Sequence, residues 1–461
     1  MRVVHTLVGG LAGVVWLVLP GMTADHDVPV PERHARPAAG AAVADQTSAV
    51  DLVLPLVAVG AVGALAGYGY VRRTRRARAR TTPAGGSAAG AAVPPPLTEP
   101  DERARALLVE ADDWVRTSRE ELGFAEARAG TEAVAPFALA LRDAEAELAA
   151  AFRIRRQYDD GVPGDEAARL HVLAGIVGRC QEAGRRLDAE AEAFDRVRAL
   201  EGAGTEEALA VAETRFRELA ARTGGAEATL TDLGERYGPT AVASVTGHVE
   251  QAKDRLVHAT TRLNQARQSA DLGEAAGAAQ HLRAAETATA RAGELVNGID
   301  RLAADLAAAA ALVPAALTGA EAALAGRPGT AHADLTLAAV REELTTGPYD
   351  PLDALRRIVR AVAAEDGVLS AAGLLVARDT VTGADGCISV HRSAVHSAAR
   401  IHLAEARRLL TSDPVTADAL AGRARELAEQ DVRTHGHRPT EGTPASFGGP
   451  RSSGRRSTAT P

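Results

Sequence analysis

Apolar residues that return every three or four positions restrict this chain more than any other feature. Phe137, Leu141, Ala144, Leu148 and Ala151/Phe152 step in this way. So do Ile176, Cys180, Ala183, Leu187, Ala191 and Phe194, followed by Leu209, Ala212, Phe216 and Leu219. A period near 3.6 lays each set along one face of an α-helix and leaves Arg and Glu on the remaining faces. Such a stripe must be covered by another helix, from the same chain or a partner. Ala, Leu, Glu and Arg dominate the composition and are strong helix formers, while only 3% of the 461 residues are aromatic. A core of Leu, Val and Ala favours helix–helix seams over a thick globular centre. The expected fold class is all-α: a membrane-anchored, elongated bundle of antiparallel helical hairpins or coiled coils, with a disordered linker and tail.

The anchor is read from residues 51–71. Leu52 to Tyr70 carries no charge, and at about 1.5 Å per residue it is long enough to cross a hydrocarbon layer of roughly 30 Å. Arg72, Arg73, Arg75, Arg76, Arg78 and Arg80 follow at once. Such a run holds its end of a span on the cytoplasmic side and attracts anionic lipid headgroups. Within the span, Gly63 and Gly67 make a GxxxG that Gly60 and Ala64 extend, a small face on which two helices can pack closely. Residues 1–24 have a basic start, an apolar run and a small-residue end, the outline of a signal peptide or an uncleaved signal anchor. The expected topology is a single pass after cleavage, or a two-pass hairpin without it. Residues 25–50 form a short extracytoplasmic linker and residues 72–100 a basic, Pro/Gly/Ala-rich one. Residues 101–433 form the cytoplasmic helical region, and residues 434–461 a disordered tail.

Breakers cut the helical region into pieces: DDGVPGDE (159–166), EGAGTEE (201–207), Gly224–Gly225, YGPT (237–240), GRPGT (326–330), TTGPYDP (345–351) and TSDP (411–414). Each supplies Gly for a helix end, or Asp and Pro for the next start. Between two of them, most of 240–270 reads as one helix. Units beginning at Leu263, Leu337 and Leu403 each lead into a turn and a second helix, a weak internal repeat of helical hairpins.

The net charge of −8 disfavours nonspecific nucleic-acid binding, which needs a positive field. Neither a phosphate-binding glycine loop nor a zinc-protease or nucleophile-elbow motif is present. Asp112 and Asp113 read as a solvated helix shoulder. His391, His396 and His402, at spacings of five and six on one helix, point to different faces and make no metal set. TGADGCIS (382–389) reads as a loop in which Cys387 has no histidine base. Cys180 and Cys387 read as unpaired thiols. The expectation is no catalytic, cofactor or metal residues.

The blocks DERARALLVEADDWVRTSREELGFAEARAG, AFRIRRQYDDGVPGDEAAR, LGERYGPTAVASV and DGCISVHRSAVHSAARIHLAEARRLL resemble the cytoplasmic helical region of actinobacterial TPM-domain membrane proteins. The resemblance covers roughly Asp101 to Arg433. It implies a signal peptide, an extracytoplasmic TPM domain, one membrane helix and a long intracellular coiled-coil region. Only residues 25–50 stand where the TPM domain would be, so no functional residue or phosphatase activity is carried over. The expected function is a non-enzymatic, membrane-anchored scaffold or adaptor that binds cytoplasmic proteins or a second copy of itself. The alternatives are a lipid-surface or envelope-stress coiled-coil protein and, behind it, an unrecognised hydrolase.

Overall fold

The computed structural model describes residues 97–200, 202, 204–362, 367–436 and 446–452. The signal segment, the span with Gly60, Gly63, Ala64 and Gly67, and the arginines from Arg72 to Arg80 lie outside these residues. The described residues all fall in one compact unit, Pro94–Pro461, and the architecture given below is that of this unit.

The described residues form α-helices and no strand, so the all-α expectation holds. Helices α1 (Thr98–Ala129), α2 (Thr131–Asp159) and α3 (Glu166–Arg198) pack as a three-helix bundle. Its core holds two of the predicted stripes, with Phe137, Leu141, Leu148, Ile176, Leu187 and Phe194 all buried, and Leu108 of α1 packs with them. There follow α4 (Thr205–Tyr237), α5 (Pro239–Val242), a 3-10 turn (Ala243–Val245), α6 (His248–Asp271) and α7 (Ala275–Leu324). The last five helices are α8 (Ala331–Thr346), α9 (Pro351–Ala361), α10 (Val368–Val390), α11 (Ser397–Leu409) and α12 (Pro414–His435).

Helix α7, with 50 residues, is the spine of this second part. Helices α4, α6, α8, α9 and α10 all pack on it, around Leu295, Ile299, Leu306, Val313 and Leu317. Among the described residues α7 is also the one helix long and apolar enough, by length and composition, to cross a membrane. The three predicted hairpin units are α6–α7, α8–α9 and α11–α12. The second helix of two of these units starts by local chemistry. Asp350 accepts the N–H groups of Leu352 and Asp353, each at 3.0 Å, and Asp413 accepts that of Thr416 at 3.1 Å. In both cases the residue after the capping Asp is Pro, whose missing N–H costs nothing at that position.

Four expectations need correction. Gly224–Gly225 does not break α4, because the stripe of Leu219, Ala226 and Leu233 on either side stays buried. That burial offsets the loss of about 1 kcal/mol per glycine in a helix. The stretch 382–389 is the end of α10, not a loop. There a side chain at Gly383 would stand 3.5 Å from an Arg425 nitrogen, and one at Gly386 would stand 3.9 Å from Arg301. The expected helix over 240–270 is interrupted at Thr246–Gly247, where Gly247 has φ +81° and only a residue without Cβ is comfortable. Finally, residues 446–452 of the expected disordered tail are seated against α1, α2 and α3.

Candidate functional site

The groove that holds residues 446–452 is built from three helices. The Phe447 ring is fully buried. It stacks on Phe194 of α3 at 4.4 Å between centroids and meets Phe137 of α2 edge-on at 6.0 Å. Three of the chain's six phenylalanines thus meet here. The two residues that follow Phe447 are glycines because the backbone comes too close for side chains. A Cβ on Gly449 would lie 2.3 Å from the Gly184 carbonyl oxygen, and one on Gly184 would lie 2.6 Å from the Pro450 ring.

Polar contacts complete the seat. Ser118 of α1 accepts the N–H of Gly448 at 3.2 Å. The Asp188 carboxylate of α3 accepts the N–H groups of Gly449, Arg451 and Ser452 at 2.8, 3.1 and 3.0 Å. It also takes the Ser452 hydroxyl at 2.6 Å. Those main-chain contacts hold a bent segment whose residues 450–452 begin a helical turn, and the phenylalanine pocket reads one side chain. Sequence reasoning missed this site. The signal was a single large apolar residue, Phe447, set among Gly, Pro, Ser and Thr.

Buried ion pairs fix the walls. Asp112, expected to be solvated, is buried between Arg116 Nε at 2.9 Å and Arg400 Nη1 at 2.6 Å. Burial would push its carboxyl up, but Arg116 and Arg400 hold it down at about 2. Arg400 also pairs with Asp113 at 2.7 Å, and Arg116 with Asp385 of α10 at 2.8 Å. These contacts bind α1 to α10 and α11. Behind them, Arg198 of α3 bridges Glu121 of α1 and Glu286 of α7. Burial pushes Glu286 up to about 7 in spite of Arg198. Beside the first network, α1, α2 and α11 enclose a cavity of about 400 Å³ floored by Val115, Leu148, Phe152 and Leu403 and rimmed by Arg119, Arg153 and Arg408.

A second, more polar cavity of about 230 Å³ lies between α6, α7, α10 and α12. His248, Gln251, Asp305, Asp379, Cys387, His391 and Arg425 line it. Burial, reinforced by Arg425, lowers His248 to about 4. Burial and neighbouring Asp305 raise Asp379 to about 6. His248 Nδ1 and Gln251 Oε1 are buried without a hydrogen-bond partner among the described residues, so this cavity can receive a polar group. Burial pushes the Cys387 thiol up to about 11 and the Cys180 thiol up to about 12, so neither is a ready nucleophile. Both are free thiols, as expected. His391 ends α10 at the polar cavity, His396 precedes α11, and His402 lies half-buried on α11. The three do not converge.

No family model matches the chain, and no solved structure matches it. It is homologous to two proteins of Mycobacterium tuberculosis, UPF0603 protein Rv2345 and UPF0603 protein MT2410. Each is 29% identical over an alignment of 386 positions that covers 74% of this chain and 58% of the relative. The chain therefore spans less than two thirds of the length of these curated relatives. The expected likeness to an actinobacterial protein holds at this level.

Proposed function

We propose that this chain is a non-enzymatic, membrane-anchored helical scaffold or adaptor whose helical body binds protein partners, or a second copy of itself, on the cytoplasmic side. The observation that carries the reading is the groove of α1, α2 and α3. It grips a seven-residue segment through one deep aromatic pocket and four hydrogen bonds to backbone N–H groups. Main-chain contacts for affinity and a side-chain pocket for selection are the working parts of peptide-recognition modules. The resemblance to the intracellular region of TPM-domain membrane proteins supports a helical module held at a membrane. The arginine run after residue 71 supports the topology.

A lipid-surface role finds weaker support. The arginines around the cavity of α1, α2 and α11 would suit anionic headgroups, but Arg119 already pairs with Glu145 at 2.6 Å and Arg408 with Glu405 at 2.7 Å. Exposed pairs of this kind leave little net charge for a membrane.

The test uses the full-length chain in detergent micelles with Phe447→Asp, which vacates the groove. A fluorescent peptide with the sequence of residues 444–454 should bind this variant, and should fail to bind when Asp188→Ala is added. A vacated groove that binds no peptide would remove the basis of the adaptor reading.

A further inference from the structure

Asp431 and His435 stand four positions apart on α12 and therefore project from one face of it. His396, in the connection just before α11, comes up against that face. Its Nδ1 is 3.0 Å from Asp431 Oδ1, and its ring centroid is 4.8 Å from that of His435. One donor atom from each of the three residues can be chosen so that all lie within 4.8 Å of one another. We propose that His396, Asp431 and His435 form a site for a divalent transition metal, with zinc the ion that two imidazoles and a carboxylate suit best.

Donors about 2.1 Å from a tetrahedral ion stand roughly 3.4 Å from each other. The His396–Asp431 pair is close to that spacing already, and rotation of the exposed His435 ring closes the set. The site is braced from outside. Asp431 Oδ2 accepts the backbone N–H of His396 at 2.9 Å, the sort of second contact that orients a ligating carboxylate. His435 lies in the last turn of α12, where the negative end of the helix dipole favours a cation. An ion pair alone requires only His396 and Asp431; the second imidazole on the same side completes a ligand set. Three protein ligands leave a fourth position for water. A bound ion would tie the connection ahead of α11 to the end of α12 and set the direction in which the chain leaves that helix.

Zinc titrated by calorimetry into the tag-free full-length chain in detergent micelles should reveal one stoichiometric site and raise the melting temperature. His396→Ala and His435→Ala should each weaken that site by at least about tenfold while leaving helicity by circular dichroism unchanged. Cobalt in place of zinc should give the visible absorption of a four-coordinate ion, lost in both variants. Absence of a stoichiometric site in the parent chain, or undiminished zinc affinity in either variant, overturns the proposal.

Discussion

Phe447 fills a pocket whose other walls are Phe137 and Phe194, so truncating it removes packing that no nearby residue can replace. Phe447→Ala should lower the stability of the helical unit by about 3 kcal/mol, read as a shift of the urea midpoint at constant slope. His248 gives a prediction in pH. Its folded-state value of about 4 lies below its ordinary 6.5, because burial and Arg425 oppose the charged ring. The folded state therefore binds a proton less readily than the unfolded chain. The stability that comes from keeping this ring neutral is fully present above 6.5 and is lost as pH falls toward 4. Between pH 7 and pH 5 that loss amounts to at most about 2 kcal/mol. Urea titrations at the two pH values should show a smaller difference for His248→Gln than for the parent chain.

Two helices, α9 and α12, begin where an Asp meets a Pro, and the two caps can be weighed. Asp350→Ala and Asp413→Ala should each cost about 1 kcal/mol. The larger loss falls at Asp350, which accepts two N–H groups and is half-buried, and thermal melts of the two variants will rank them. Gly184→Leu should drive out residues 446–452, since even a Cβ there would lie 2.6 Å from Pro450. Limited proteolysis should then cut beside Arg451 much faster than in the parent. The hairpin turns were legible in the sequence because Asp-Pro and Gly ends act on their immediate neighbours. The glycines within α4 and α10 were not, because what keeps those helices whole is burial against distant residues. Asp112 shows the same limit. Its partner Arg400 lies 288 positions away, and nothing in the local pattern distinguishes it from a solvated carboxylate. The groove was hidden for a related reason, since a lone Phe in a polar segment shows an anchor only once its pocket is known.

The whole molecule joins two readings that different experiments can separate. Protease added to intact cells should leave the helical body uncut if it lies on the cytoplasmic side. Gly63→Leu with Gly67→Leu should weaken self-association in sedimentation measurements if the small face of the proposed span pairs two copies. The seat of Phe447 also bears on how the chain is made. The groove belongs to the first three helices of the body, yet Gly448 reaches Ser118 across a sequence separation of 330 positions. At typical rates of about 5–20 residues per second, a ribosome takes on the order of tens of seconds to cover that distance. From the moment Phe194 is made until Phe447 follows it, Phe137 and Phe194 have an open side, and the first bundle leaves the ribosome with a sticky apolar pocket. The newborn protein thus passes through an interval in which a chaperone, or a segment of another chain, can occupy the place that residues 446–452 will take.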